Sequence, residues 1–131
     1  MRDILFRGRT VEGKEWVNGY FAMFSSTTFI GAPNSHGTML WFEVDPDTVG
    51  QFTGTTDNIG MMIFEHDIVR CYGPRWSEKE MVGHIVYGDC CFSVKEDKKP
   101  NRPAMDLCAD FKVIGTIHDN PELMEVQHEV E

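Results

Sequence analysis

The chain reads as a mainly β protein: a compact antiparallel barrel- or sandwich-like domain with SH3-like hairpins and a short C-terminal helix. Three observations predict this. Short runs rich in Val, Ile, Phe, Tyr and Trp recur with turn residues between them, at roughly 8- to 12-residue spacing. No long segment repeats its apolar residues at the helical period. Fifteen aromatics and an apolar fraction of 41% give 131 residues enough bulk for a core that needs no staples. A chain of this length is read as one domain, with N-terminal strands over 1–44, a barrel-like part over 45–118, and a short helix with an acidic tail over 119–131.

Taken in order, Ile4–Arg9 is an extended run, and Thr10–Lys14 is a turn in which Gly13 is free to take positive φ. Glu15–Phe24 is the returning strand of a first hairpin. Phe29–Ala32 and Leu40–Val44 are two further strands, separated by the loop Pro33-Asn34-Ser35-His36-Gly37. Asp45-Pro46-Asp47-Thr48 is a turn into the strand Val49–Thr53. Asp57-Asn58-Ile59-Gly60 reads as a type I turn with Gly60 left-handed, because Ile59 suits a type I′ turn badly. Ile63-Phe64 leads into a tight Glu65-His66-Asp67 bend, followed by the strand Ile68–Tyr72.

Met81–Val94 carries the clearest local signal. Gly88-Asp89 suits a two-residue type II′ turn, which sets Tyr87 opposite Cys90, Ile85 opposite Phe92 and Gly83 opposite Val94. In that register Cys90 turns inward and Cys91 outward, and Ile85 with Phe92 marks the core face. Lys95–Arg102 has no aliphatic or aromatic residue and reads as a loop. Phe111–Ile117 is a last strand. Asn120-Pro121-Glu122 then opens a helix of one or two turns.

Three blocks, in this order and spacing, resemble the YopX family. They are Val44-Asp45-Pro46-Asp47-Thr48-Val49-Gly50-Gln51-Phe52-Thr53-Gly54, then Ile63-Phe64-Glu65-His66-Asp67-Ile68-Val69, then the segment Val113–Met124 containing Gly115-Thr116-Ile117-His118-Asp119-Asn120-Pro121. The opening hairpin with Trp16 and Gly19-Tyr20 fits as well, so the resemblance covers nearly the whole chain. It implies a largely β fold and a phage or prophage setting. It implies no mechanism, since the family has no established biochemical activity. The family usually has Glu-Gly-Asp where this chain has Glu65-His66-Asp67. A Gly there points to positive φ, and His is among the non-glycine residues that adopt it more readily. Where the family often has Asn-Gly, this chain has Ile59-Gly60. Met61 and Met62 then stand where polar residues are common, which marks this turn as a contact surface.

The formal net charge of −9 opposes binding to nucleic acid or anionic membranes, which depends on Lys and Arg. Glu43–Asp67 holds six carboxylates and Asp119–Glu131 five, with no Lys or Arg in either span. No run approaches the roughly 18 apolar residues of a membrane span, and the N-terminus does not read as a signal peptide, so the expected location is the cytoplasm of a bacterial host. Four cysteines in that setting are expected as reduced thiols.

Candidate chemistry is sparse. Asp45, Asp47, Asp57, Glu65 and Asp67 do not match the alternate-ligand spacing of a calcium loop, and Pro46 interrupts it. As a hydrolase pair these carboxylates would need a cleft that the sequence does not reveal. The cysteines lack the close pairing of a zinc site, so no metal or other cofactor is assigned. Cys91 and His84 share a predicted strand face, but no third group completes a nucleophile. Trp16, Tyr20, Trp41 and Trp76 could stack bases, although stacking platforms come with a basic groove. The expected function is a non-enzymatic, protein-binding accessory module whose partner is a host or phage protein. Asp45, Asp47, Asp57, Met61, Met62, Glu65, His66 and Asp67 are the candidate interaction surface. Free strand edges leave pairing between copies open. A small hydrolase or metal-dependent enzyme, and a nucleic-acid-associated protein, are the alternatives.

Overall fold

In the computed structural model, residues 3–74 and 79–124 are described. Trp76 and His128 therefore lie outside the described residues. The described chain forms ten strands, all paired antiparallel where register is defined, and falls into two units, Met1–Gly54 and Thr55–Glu131.

The first unit holds β1 (Phe6–Arg9), β2 (Trp16–Phe24), β3 (Thr27–Pro33), β4 (Met39–Glu43) and most of β5 (Gly50–Thr56), in the sheet order β4-β3-β2-β1-β5. The β1–β2 turn places positive φ on Lys14 (55°) rather than on Gly13. Its backbone is closed by Thr10 N–H to Glu15 C=O and Lys14 N–H to Thr10 C=O. The β2–β3 hairpin turns on Ser25 and Ser26, at φ 51° and 66°, which are type I′ values at both central residues. Phe24 pairs with Thr27 beside it, so β3 begins two residues before the expected Phe29. Ile30 and Val44 are fully buried in this unit, with Val44 seated against Gly8.

The second unit holds β6 (Met62–Phe64), β7 (Asp67–Tyr72), β8 (Glu80–Gly88), β9 (Cys91–Lys95) and β10 (Ala109–Thr116), the last four in the order β10-β7-β8-β9. Ile63, Val69, Cys71, Met81, Ile85 and Val94 form the centre of its core. Neither sheet closes into a barrel. Closure would require the end strands of a sheet to pair, and β4, β9 and β10 each remain at an edge. A 3-10 turn at Met105–Leu107 precedes β10, and the expected C-terminal helix begins at Glu122–Met124.

The β8–β9 register differs from the expected one. Ile85 pairs with Val94, Tyr87 with Phe92 and Gly88 with Cys91. The turn is Asp89-Cys90, with φ 53° and 65°, a type I′ geometry. Relative to the expected pairing the strand slips by two residues, so every side chain that stays in the ladder keeps its face. The slip places two fully buried residues, Ile85 and Val94, directly opposite each other, and Tyr87 meets Phe92 edge-on at 5.0 Å. Cys90 is exposed in the turn instead of inward, and Cys91 is half-buried instead of outward.

Candidate functional site

The sequence-predicted residues divide by what their side chains already do. Asp45 and Asp47 are exposed on the turn before β5. The Asp45 carboxylate accepts the Asp47 N–H at 3.0 Å and caps the short 3-10 turn Pro46–Thr48. Thr48 is buried beneath it, and its hydroxyl accepts the Arg9 N–H at 2.9 Å.

Asp57 is buried and organises the next turn. One carboxylate oxygen accepts the N–H groups of Ile59 (3.0 Å) and Met61 (2.8 Å), and the other accepts Val113 N–H (3.1 Å). Burial alone would raise this carboxyl, but the backbone donors Val113, Met61, Ile59 and Gly60 outweigh it and hold it below the usual value of 3.8. The turn closes through Gly60 N–H to Asp57 C=O, with Gly60 at φ 91° as expected. Asn58 N–H bonds the Phe111 carbonyl, fixing the turn to β10. Ile59 and Met61 stand out from its tip, 72% and 50% exposed, while Met62 is half-buried.

The Glu65-His66-Asp67 bend survives with His66 at φ 79°. Asp67 is fully buried, and its carboxylate accepts Phe64 N–H at 2.8 Å. His66 N–H bonds Ile85 C=O, and the His66 carbonyl accepts Ile117 N–H. The His66 ring lies edge-on to His118, with Nδ1 and Nε2 3.3 Å apart, and Glu65 lies 3.8 Å from its other nitrogen. The second and third sequence blocks thus meet at one place in the second unit. Among the described residues no three His, Cys, Asp or Glu side chains come together in a way that could hold a metal ion.

The Cys91–His84 pair separates. His84 stands opposite Lys95 while Cys91 stands opposite Gly88, four residues or roughly 14 Å along the strand. Cys71 and Cys108 were not singled out by sequence, yet their thiols are hydrogen-bonded at the core of the second unit; this bond and burial push Cys71 upward. A cleft of about 540 Å³ lies between Met81 and the Glu96–Pro103 loop. Its charged rim is already paired, Lys99 with Glu96 and Arg102 with Asp89.

The feature that sequence reasoning missed is in the first unit. All five residues of β4 are exposed. The register places Tyr20, Gly31 and Trp41 in one row across β2, β3 and β4, and the Trp41 ring lies over Gly31, where a Cβ would come within 2.6 Å of it. Tyr20, Phe24, Met39 and Trp41 share one sheet face; Phe21, Met23, Leu40 and Phe42 share the other. These eight residues are 36% to 74% exposed. Trp16 is engaged differently, with the Arg7 and Arg9 guanidinium groups over its ring at 4.6 and 4.8 Å.

Comparison with known proteins agrees with the architecture. The YopX family profile matches residues 5–125, and this chain belongs to the YopX family. The crystal structure of protein EF1440 from Enterococcus faecalis is similar at 24% identity, over 95% of this chain and 99% of that one, with a TM-score of 0.57. At that identity the likeness speaks for the fold alone. No curated protein matches the chain. No helix among the described residues is long and apolar enough to cross a membrane.

Proposed function

We propose that this chain is a protein-binding accessory module of a phage or prophage, and that its docking surface is the apolar arm β2–β4 of the first unit. The exposed β4 strand carries the reading. At roughly 200 Å² for a whole bulky side chain, the four half-exposed residues on each face of the arm offer on the order of 400 Å², about half the share one partner gives to a standard protein interface. Soluble monomers rarely leave contiguous apolar patches beyond a few hundred Å². Ile59 and Met61 form a smaller apolar tip in the second unit, and Asp45 and Asp47 are exposed carboxylates in the first. Asp57 and Asp67 shape the backbone, so their part is to hold the loops in place. The phage or prophage setting rests on the family resemblance.

The test is affinity capture of the tagged chain from bacterial cells during infection or prophage induction, beside the double variant Tyr20→Ser, Phe24→Ser. Both residues are exposed, so the fold is expected to change by no more than about 0.5 kcal/mol. A partner retained by the unaltered chain and lost by the variant is the expected result. Identical recovery with both chains, or none with either, would overturn the reading.

A further inference from the structure

His66 holds a left-handed backbone, at φ 79°, where the family usually has glycine. Residues kept in such conformations cluster at ligand clamps, so what this side chain meets is informative. The backbone around it is pinned. His66 N–H bonds Ile85 C=O at 2.9 Å, and the His66 carbonyl accepts the N–H of Ile117, the residue before His118, at 3.0 Å. The Thr116 hydroxyl accepts the His118 and Asp119 N–H groups at 3.2 and 3.0 Å, which fixes the turn carrying the second ring. The two imidazoles therefore meet on anchored backbone, edge to face, with Nδ1 of His66 3.3 Å from Nε2 of His118. Neither ring is sealed off: the His66 side chain is 23% exposed and His118 is half-buried.

We propose that His66 and His118 form a two-imidazole site for a divalent metal ion of the zinc type, with water in the remaining positions. The site lies in the second unit and does not depend on the apolar arm of the first. Zinc–imidazole bonds of about 2.0–2.1 Å at the tetrahedral angle set two ligating nitrogens roughly 3.3–3.4 Å apart, which matches the separation of 3.3 Å between these two. Imidazole nitrogen suits zinc, copper and nickel, whereas calcium and magnesium take oxygen. Glu65 Oε2 lies 3.8 Å from Nε2, the other nitrogen of the His66 ring. An ionised carboxylate only accepts, so it favours the tautomer with the proton on Nε2 and the lone pair on Nδ1. A carboxylate behind the ring is a usual partner of metal-bound histidine. His118 Nε2 then carries the N–H between the rings. On loading, water carries that proton to the other nitrogen of the same ring, and both imidazoles stay neutral. Each ring turns by roughly 35° to aim its lone pair at the ion. Among the described residues no third His, Cys, Asp or Glu completes the set, so the site is an open one.

The test titrates zinc chloride into the full chain carrying Cys90→Ser, which removes the exposed thiol. Nitrogen-15 shifts of the imidazole rings locate the ion. Nδ1 of His66 and Nε2 of His118 are expected to move together and to saturate at one zinc per chain, while the His36 ring stays unmoved. His66→Gly suits the left-handed backbone, so this variant is expected to fold. By calorimetry it is expected to bind zinc more weakly by over roughly tenfold, and Glu65→Gln by about tenfold with both rings still moving. Zinc is also expected to raise the urea midpoint of the Cys90→Ser chain by more than that of His66→Gly on the same background. Rings that keep their mutual hydrogen bond in excess zinc would overturn the proposal and reduce the pair to a structural contact. Equal zinc affinity with and without the His66 ring would overturn it as well.

Discussion

Asp57 shows how one side chain fixes a turn and its neighbour strand together. Its two oxygens collect N–H groups from Ile59, Met61 and Val113, so removing them leaves buried donors without acceptors. Asp57→Ala is expected to destabilise the protein by about 3 kcal/mol, and Asp57→Asn by about half as much, since one acceptor oxygen remains. Urea midpoints check both. Because the folded carboxyl lies below its ordinary 3.8, its contribution is complete above that pH and fades as the pH falls through the folded value. Asp57→Ala is therefore expected to flatten the acid limb of the stability profile. His84 works at a higher pH. Burial first, then the Lys95 and His66 charges, hold it below its ordinary 6.5. The unfolded chain thus binds the proton more readily, and stability from this residue is present above 6.5 and lost as the pH falls below it. His84→Gln is expected to lose less stability than the unaltered protein between about pH 7.5 and about pH 5.5, measured by denaturant titration.

At the scale of elements, some turns were legible and others were not, for physical reasons. Asp57–Gly60 was readable because a glycine sits where the turn needs positive φ. The strain at His66 was readable because the family's Gly marks the same conformation. It gives a further prediction. His66→Gly should relieve about 1 kcal/mol of left-handed backbone strain but also remove the bond to His118. In a His118→Ala background, where that bond is already gone, the same substitution is expected to stabilise by about 1 kcal/mol; thermal or urea unfolding of the four chains of this cycle checks it. The β8–β9 turn was misread because Gly88-Asp89 is a good local II′ signal. What decided the register was nonlocal, the burial of Ile85 against Val94. The Ser25-Ser26 turn lacks the Asn or Gly that would have announced a type I′ hairpin.

At the scale of the molecule, the β class and the antiparallel pairing follow from run length and turn spacing, which local sequence carries. The candidate docking arm does not. Met39-Leu40-Trp41-Phe42 is a continuous apolar run, and such a run reads as a strand buried on both faces. Only the sheet order reveals that β4 is an edge strand with both faces open. The acidic spans divide in the complementary way. Their density suggested a shared surface, while two of the carboxylates are buried and hold backbone N–H groups. Amide exchange resolved by residue is the most direct measurement of whether the arm is a docking surface. The amides of Met39, Trp41 and Glu43, which point away from β3, are expected to exchange fast in the free chain and to become as slow as those of Leu40 and Phe42 in complex with the captured partner. Fast exchange at these three positions under every condition, including in complex with any captured partner, would contradict the account.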